Sequence, residues 1–356
     1  MPRQKRIAKI IILAMAAGLL LAPRGFAAEP FYQGKTITIL EGRRAGGTGS
    51  LRVQIAAKYL QKYLPGAPAV VYQFMPGAGG VAATNHLVHT AERDGLTIAN
   101  VSSGIISSLI VGSPSVRFKL EDLLFLGSAT SGSPYGIVVR PGLELDTVEK
   151  FRMHKGLRFA NRSVGHTMYI GDRMAAFILE LKEPRWILGY SDQEIRLALE
   201  RREADVMIGG IPGHVRETPE WFKQGFTVPV IVRNSVGEGA ERYPGFPQGR
   251  PSVEQFVDTD LKKQVYNLYQ GARVGGSNFI VHKDVPKPAL AALKEAFDKV
   301  WKDPQFAAEF EQMTKQFPGP MSGDEIHKVL AQMPQDQRTI DIYKRIIGAG
   351  PLPAAE

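Results

Sequence analysis

The sequence predicts an α/β protein that closes with a helical region, and three observations carry that reading. Short β-branched runs alternate with stretches of helical period from Thr36 to about Val232. Several of those runs end in glycine, serine and threonine just before a helix begins. After Phe279–Val281, helical periodicity dominates. Strands alternating with helices argue for a parallel or mixed sheet.

Thr36–Leu40 is the first strand, and the glycine-rich stretch 42–50 leads from it into a helix with Leu51, Ile55, Tyr59, Leu60, Tyr63 and Leu64 on one side. Pro65-Gly66 stops that helix. Ala69–Phe74 is a second strand, followed by Pro76-Gly-Ala-Gly-Gly80 and a helix to about His89. Arg93-Asp-Gly95 is a turn, and Thr97–Val101 a third strand ending in Ser102-Ser-Gly104. The theme then repeats. Gly136–Arg140, Leu157–Ala160, Arg185–Leu188, Val206–Ile208 and Val228–Val232 read as strands. Asp146 is placed to cap a helix over Thr147–His154, and Met168–Leu181 is a second helix. Ser191 and Glu194 have capping-box spacing ahead of a helix over Asp192–Arg202. The closing helices are Lys287–Lys302, Pro304–Gln316, Gly323–Gln332 and Gln335–Ile347. No solenoid repeat or low-complexity tract interrupts this order.

Composition narrows the chemistry. The chain has 356 residues, 44% of them hydrophobic and 22% charged, which suits substantial cores and excludes general disorder. Cysteine is absent, and with it disulfides, thiolate metal sites and cysteine nucleophiles. The N-terminus carries a basic segment (Arg3, Lys5, Arg6, Lys9), an apolar run from Ile10 to Ala22 and small residues at Gly25 and Ala27. That is the pattern of a cleavable signal peptide over residues 1–27. The apolar run is 13 residues long, short of the roughly 20 needed to span a bilayer. Cleavage near Ala27 removes five of the 44 basic residues and none of the 35 acidic ones, lowering the net charge from +9 to +4. A nucleic-acid role loses most of its support. The expectation is an exported, soluble, periplasmic protein.

The loops after strands, at 42–50, 76–80, 102–104, 161–167 and 209–213, suggest what is bound. In an open α/β sheet, ligands sit outside the carboxyl ends of the strands. Backbone N–H groups at a helix start favour an anion there, glycine permits close approach, and hydroxyls add donors. Five such loops together favour an anion-accepting cleft. Arg43-Arg44 is the best charged candidate, although a surface pair facing away is equally compatible. His166, in a glycine-containing loop at a helix start, is a second candidate. Other motifs fail. Gly77-Ala-Gly-Gly-Val-Ala82 matches a dinucleotide fingerprint, but its partner acid is missing near Asn100–Ser102. Gly34-Lys35-Thr36 mimics a P-loop tail but precedes its strand. His86 and His89 have no acidic partner nearby, and no G-x-S-x-G occurs. No metal set, cofactor motif or nucleophile–base pair is found.

An ordered series of residues resembles a known family. Phe31-Tyr-Gln-Gly-Lys-Thr-Ile-Thr38 and a glycine-rich loop are followed by Met75-Pro-Gly-Ala-Gly-Gly80 and Arg93-Asp-Gly95. Gly189-Tyr190, Glu194-Ile-Arg-Leu-Ala-Leu-Glu-Arg201 and Glu203-Ala-Asp205 come later. The series, from about Phe31 to Gly348, resembles the substrate-binding proteins of tripartite tricarboxylate transporters, the Bug receptors. The resemblance implies a two-lobed periplasmic-binding-protein type II fold, each lobe a mixed sheet flanked by helices. Residues 28–135 and 276–356, the latter with the C-terminal helices, would form lobe 1, and 136–275 lobe 2. The crossings would fall near Gly136–Arg140 and Tyr269–Val281. It further implies a monomer that takes a small organic acid, uses no cofactor and hands its ligand to the large and small membrane subunits of a transporter, or to a sensor kinase. The matching ligand positions are Gly46, Gly47, Thr48, Gly49 and Ser50, with Ser163, Gly165, His166 and Thr167 opposite. Ser102 and Ser103 match a third loop, and Gly209 and Gly210 a strand end. The first loop departs from the family pattern. Ala45 replaces a proline, Gly49 or Ser50 stands where an aspartate is usual, Arg52 lies near the family's arginine, and Arg43-Arg44 is unusually basic. A more anionic ligand than usual is the expected consequence, with anion binding markedly weakened when Arg43 and Arg44 are neutralised. An enzyme on the same fold, with His166 or Glu41 as base, is the competing reading.

Overall fold

The computed structural model describes residues 30–43, 45–46, 48–314 and 316–355. The expected signal peptide lies outside them, as do Arg44 and Gly47. Two mixed sheets organise the chain. The first has the order β11-β4-β10-β3-β1-β2, built from β1 (Thr36–Glu41), β2 (Ala69–Phe74), β3 (Thr97–Val101), β4 (Leu123–Ser128), β10 (Asn278–His282) and β11 (Met321–Ser322). The second has the order β7-β6-β8-β5-β9, built from β5 (Tyr135–Val139), β6 (Arg158–Ala160), β7 (Arg185–Ile187), β8 (Val206–Gly210) and β9 (Thr227–Val232).

The two sheets share one plan. β2-β1-β3 and β7-β6-β8 are parallel trios in which the first strand is central. Antiparallel pairings continue each sheet past the third member, through β10, β4 and the two-residue β11 in one and through β5 and β9 in the other. The parallel crossovers need helices, which the alternating sequence supplies. α1 (Thr48–Tyr63) and α2 (Val81–His89) serve the first trio, α5 (Thr167–Ile178) and α6 (Asp192–Glu200) the second. Between them lie α3 (Gly104–Ile110) and α4 (Val148–Met153). α7 (Ile211–Glu217) follows β8, and α8 (Asp260–Arg273) leads the chain back into β10. The remaining helices are α9 (Lys287–Lys302), α10 (Pro304–Thr314), α11 (Gly323–Ala331) and α12 (Gln337–Ile347).

Local chemistry sets several of these boundaries. Ser191 and Glu194 form the expected reciprocal capping box on α6, and Ser322 with Glu325 forms another on α11. At α4 the expected cap is displaced by one residue. Thr147, not Asp146, accepts from Lys150 N, and Asp146 instead pairs with Lys150 Nζ at 2.8 Å. β4, α3, α7 and α8 are absent from the sequence reading. Pro212 and Gly213 suggest a break after β8, yet Pro212 lies in the first turn of α7, where a missing N–H costs nothing.

The main core is continuous across both sheets. Val101, Ile105 and Ile106 on one side and Ile137, Phe159 and Ile208 on the other are joined through Val265 and Tyr269 of α8 and Tyr343 and Ile346 of α12. α12 docks on α5, where buried Arg173 donates to the carbonyls of Ile346, Arg345 and Gly350, and Tyr169 Oη donates to Gly348 O at 2.7 Å. Among the described residues no helix is long and apolar enough to cross a membrane.

Candidate functional site

A cavity of about 560 Å³ opens between the two sheets. The first sheet's side contributes Arg52 from the second turn of α1, Gly276 ahead of β10, and Gln316, Phe317 and Gly319 after α10. The second contributes Ser133 and Tyr135 at the start of β5, Thr167 and Met168 at the start of α5, and Gly209 and Gly210 at the end of β8. Arg196 from α6, His214 and Glu217 from α7, and Glu238, Arg242 and Tyr243 after β9 complete that wall. The cavity therefore lies where strand ends meet helix starts, as an open α/β sheet favours. The positive end of the α5 dipole opens onto it at Thr167.

Arg52 is the distinctive charge. Its Nη2 donates to Gln316 Oε1, a residue from the returning part of the chain. Its Nε is buried and makes no hydrogen bond. Among the described residues no carboxylate is paired with it. Burial, and then repulsion from Arg43, both lower its proton affinity. A desolvated cation without an anion is costly. Each of the cavity's other arginines has a carboxylate partner, although two of them share one. Arg196 meets Glu217 at 2.6 Å, Arg216 meets the same carboxylate at 2.5 Å, and Arg242 meets Glu238 at 2.5 Å.

The expected site residues divide into two groups. Thr167, Gly209 and Gly210 line the cavity. Arg43, Gly46, Gly49, Ser50, Ser102, Ser103, Ser163, Gly165 and His166 do not, and Thr48 opens α1. Arg43 is drawn away by the end of the sheet. Its Nη1 donates to Glu41 Oε1 at 3.0 Å and to Asn100 Oδ1 at 2.7 Å, and its Nη2 donates to Gly276 O at 2.8 Å. Ser102 Oγ is occupied with Gly79 O at 2.8 Å, and Ser103 precedes α3, accepting backbone bonds from Ile106 and Ser107. Ser163 and Gly165 are exposed in the turn before α5, and His166 caps that helix by accepting from Met168 N. Burial, with Arg162 nearby, keeps the His166 imidazole less basic than usual.

Sequence reasoning left out most of the lining. Arg196, Arg216 and Arg242 sit four or fewer residues from acids or on polar helix faces, and so read as solvated charges. His214 gives no motif signal at all. Its ring is buried, 4% exposed, and burial lowers its pKa to about 4, so it lines the wall as a neutral imidazole. Among the described residues no cluster of three His, Asp or Glu side chains is placed to hold a metal ion.

Compared as a sequence, the chain matches no protein-family model and no curated protein. Compared as a structure, it resembles a TctC solute binding protein from Polaromonas solved with no ligand. The two are 17% identical, with 89% of this chain and 99% of that one covered and a TM-score of 0.68. The periplasmic binding protein BugD gives 16% identity, coverage of 88% and 98% and a TM-score of 0.52. An R. palustris protein solved with adipate gives 11%, 88% and 97%, and 0.53. The fold is thus the two-lobed fold of periplasmic binding proteins, and these structural neighbours are binding proteins of the group that the ordered motifs resemble.

Proposed function

We propose that this protein is an exported solute-binding receptor that captures a small carboxylate-bearing compound between its lobes and catalyses no reaction. The observation that carries the reading is Arg52, a cation with no carboxylate partner among the described residues, on the wall of a cavity lined from both sheets. A ligand carboxylate supplies the missing anion, and the start of α5 faces it from the other lobe. Contacts from both sides favour the closed arrangement, so binding shifts the population of lobe orientations. Residues 28–135 and 276–356 form one lobe and 136–275 the other, with the last helix, α12, reaching across to pack on α5 of the second. The protein works in the periplasm as a monomer. Its partners are the membrane subunits of a tripartite tricarboxylate-type transporter, and a sensor kinase is the alternative recipient. The likeness to two binding proteins, and to a third protein solved with adipate, supports this reading over an enzyme on the same fold.

The test is a thermal-shift screen against aliphatic and aromatic carboxylates, with calorimetry on each hit and recovery of the acid. A ligand held by the folded form raises the melting temperature by mass action. At least one acid binds and is returned unchanged, and Arg52→Gln weakens it by about 10- to 100-fold, the loss expected for a charge-assisted hydrogen bond. Consumption of the acid would favour the enzyme; binding insensitive to Arg52→Gln would remove the anchor.

A further inference from the structure

The charges and side chains of the cavity wall narrow the ligand class, an inference that rests on the cleft being a carboxylate-binding site. We propose that the cavity is specific for a single carboxylate carried on an aromatic body, and that it disfavours aliphatic di- and tricarboxylates.

The charge pattern comes first. The described part of the wall carries four arginines, Arg52, Arg196, Arg216 and Arg242, against Asp192, Glu217 and Glu238. The wall's own surplus is one positive charge, and it is two once Asp192 is paired with Arg162, which does not line the cavity. Arg196 and Arg216 hold the two oxygens of Glu217, at 2.6 and 2.5 Å. Arg242 is spent on Glu238 and on Pro318 O at 2.9 Å. Asp192 is held by Arg162, whose Nε donates to Oδ1 at 2.6 Å. Arg52 is therefore the wall's one arginine with no carboxylate partner among the described residues, and a ligand carboxylate matches it. A second carboxylate would meet only arginines that already hold an acid, Arg242 being neutralised by Glu238 and Arg196 with Arg216 keeping one charge between them around Glu217.

The rest of the wall is built for an apolar, ring-shaped body. Tyr135, Met168, Ile195, Met207, Tyr243 and Phe317 all face the cavity. Phe317, 45% exposed, comes from the first sheet's side and meets Tyr243 of the second edge-on, at 5.4 Å between ring centres. An exposed phenylalanine at the mouth of a cavity is a contact surface waiting for a partner, and edge-to-face geometry extends readily to a third ring. Met168 and Met207 are thioethers, which conform to irregular shapes and favour aromatic edges. His214 adds a polar but uncharged group, because burial keeps its imidazole neutral at physiological pH. The volume of about 560 Å³ falls within the range of about 300–1,000 Å³ usual for drug-sized ligands, and leaves room for a ring beside the carboxylate.

Titration calorimetry of the purified protein with benzoate, 4-hydroxybenzoate, hexanoate, adipate and citrate tests this directly. Benzoate or 4-hydroxybenzoate binds at least 10-fold more tightly than adipate and citrate, and more tightly than the ringless hexanoate. Phe317→Ala, at a side chain that the core does not require, weakens the aromatic acid about 3- to 10-fold while the melting temperature of the free protein holds. Arg52→Gln weakens it as well. Tighter binding of adipate or citrate, equal binding of all five, or an aromatic acid indifferent to Phe317→Ala overturns the class assignment and leaves the receptor reading in place. Binding of none of the five acids, nor of any acid in the wider screen, overturns both.

Discussion

The side chain of Arg43 runs across Gly49, where a Cβ would stand 2.5 Å from Arg43 Cδ. Any side chain at 49 would push the arginine off its three acceptors. Glu41, 1% exposed, is the carboxylate this arginine protects: burial raises its pKa and Arg43 lowers it. Arg43→Ala should therefore act on stability more than on ligand binding. We expect a loss of about 2–3 kcal/mol at pH 8, below the full cost of breaking a buried pair because Arg43 is partly exposed. The loss shrinks towards pH 5, because an acid whose folded pKa is raised forfeits stability as pH rises. Urea unfolding at the two pH values measures it, and an unchanged midpoint at pH 8 would contradict it. Asp172 carries a second penalty. It is fully buried, its hydrogen bond comes from Asn161 Nδ2 at 2.8 Å, and burial raises its pKa well above the carboxylate range. It stays protonated in the folded state and ionises on unfolding, so its contribution to stability falls as pH rises above about 4. Its Oδ1 and Asn161 Oδ1 both lack partners, and an amide at 172 supplies a donor without the cost of keeping a proton. Asp172→Asn should stabilise the protein by about 1–2 kcal/mol at pH 7 and by less at pH 4.5. Lower stability at pH 7 would show that the carboxyl itself is needed.

At the scale of elements, legibility followed how much each segment depends on its own residues. The parallel trios were readable because β-branched runs such as Thr36–Glu41 and Thr97–Val101 are bounded by glycine, proline or Asp-Gly turns. α9 was legible from end to end, with Leu293, Ala296, Phe297 and Val300 on one buried face and lysines on the other. β4 was not. Leu123–Ser128 follows a 3₁₀ turn with no punctuation, and its apolar run does not alternate because all but Leu124 are buried, between β10 and β11. α8, absent from the expected elements, nevertheless carries a plain amphipathic pattern in Leu261, Val265, Leu268, Tyr269 and Ala272. Asp146 and Thr147 show the limit of capping rules: both can cap, and the choice falls to the one whose oxygen reaches Lys150 N while the other takes the lysine's charge.

For the whole molecule, two sheets of similar strand order stand on either side of one cleft, and both contribute to its wall. The glycine loops pointed to that cleft, and Thr167, Gly209 and Gly210 are on it. Its selectivity was hidden because it depends on pairings across long stretches of chain. Arg52 meets Gln316, and Tyr243 meets Phe317, only after the lobes are assembled. No local pattern encodes such contacts, and only the tertiary structure tells a paired arginine from an unpaired one. The central claim is that a carboxylate lies between the lobes on Arg52. It is tested most directly by a crystal structure of the protein with the tightest-binding acid from the screen. The account predicts the carboxylate within hydrogen-bonding distance of the Arg52 guanidinium, with the start of α5 across from it and the ligand body against Tyr243 and Phe317. A ligand seated outside the cleft, or inside it with its carboxylate turned away from Arg52, would contradict it.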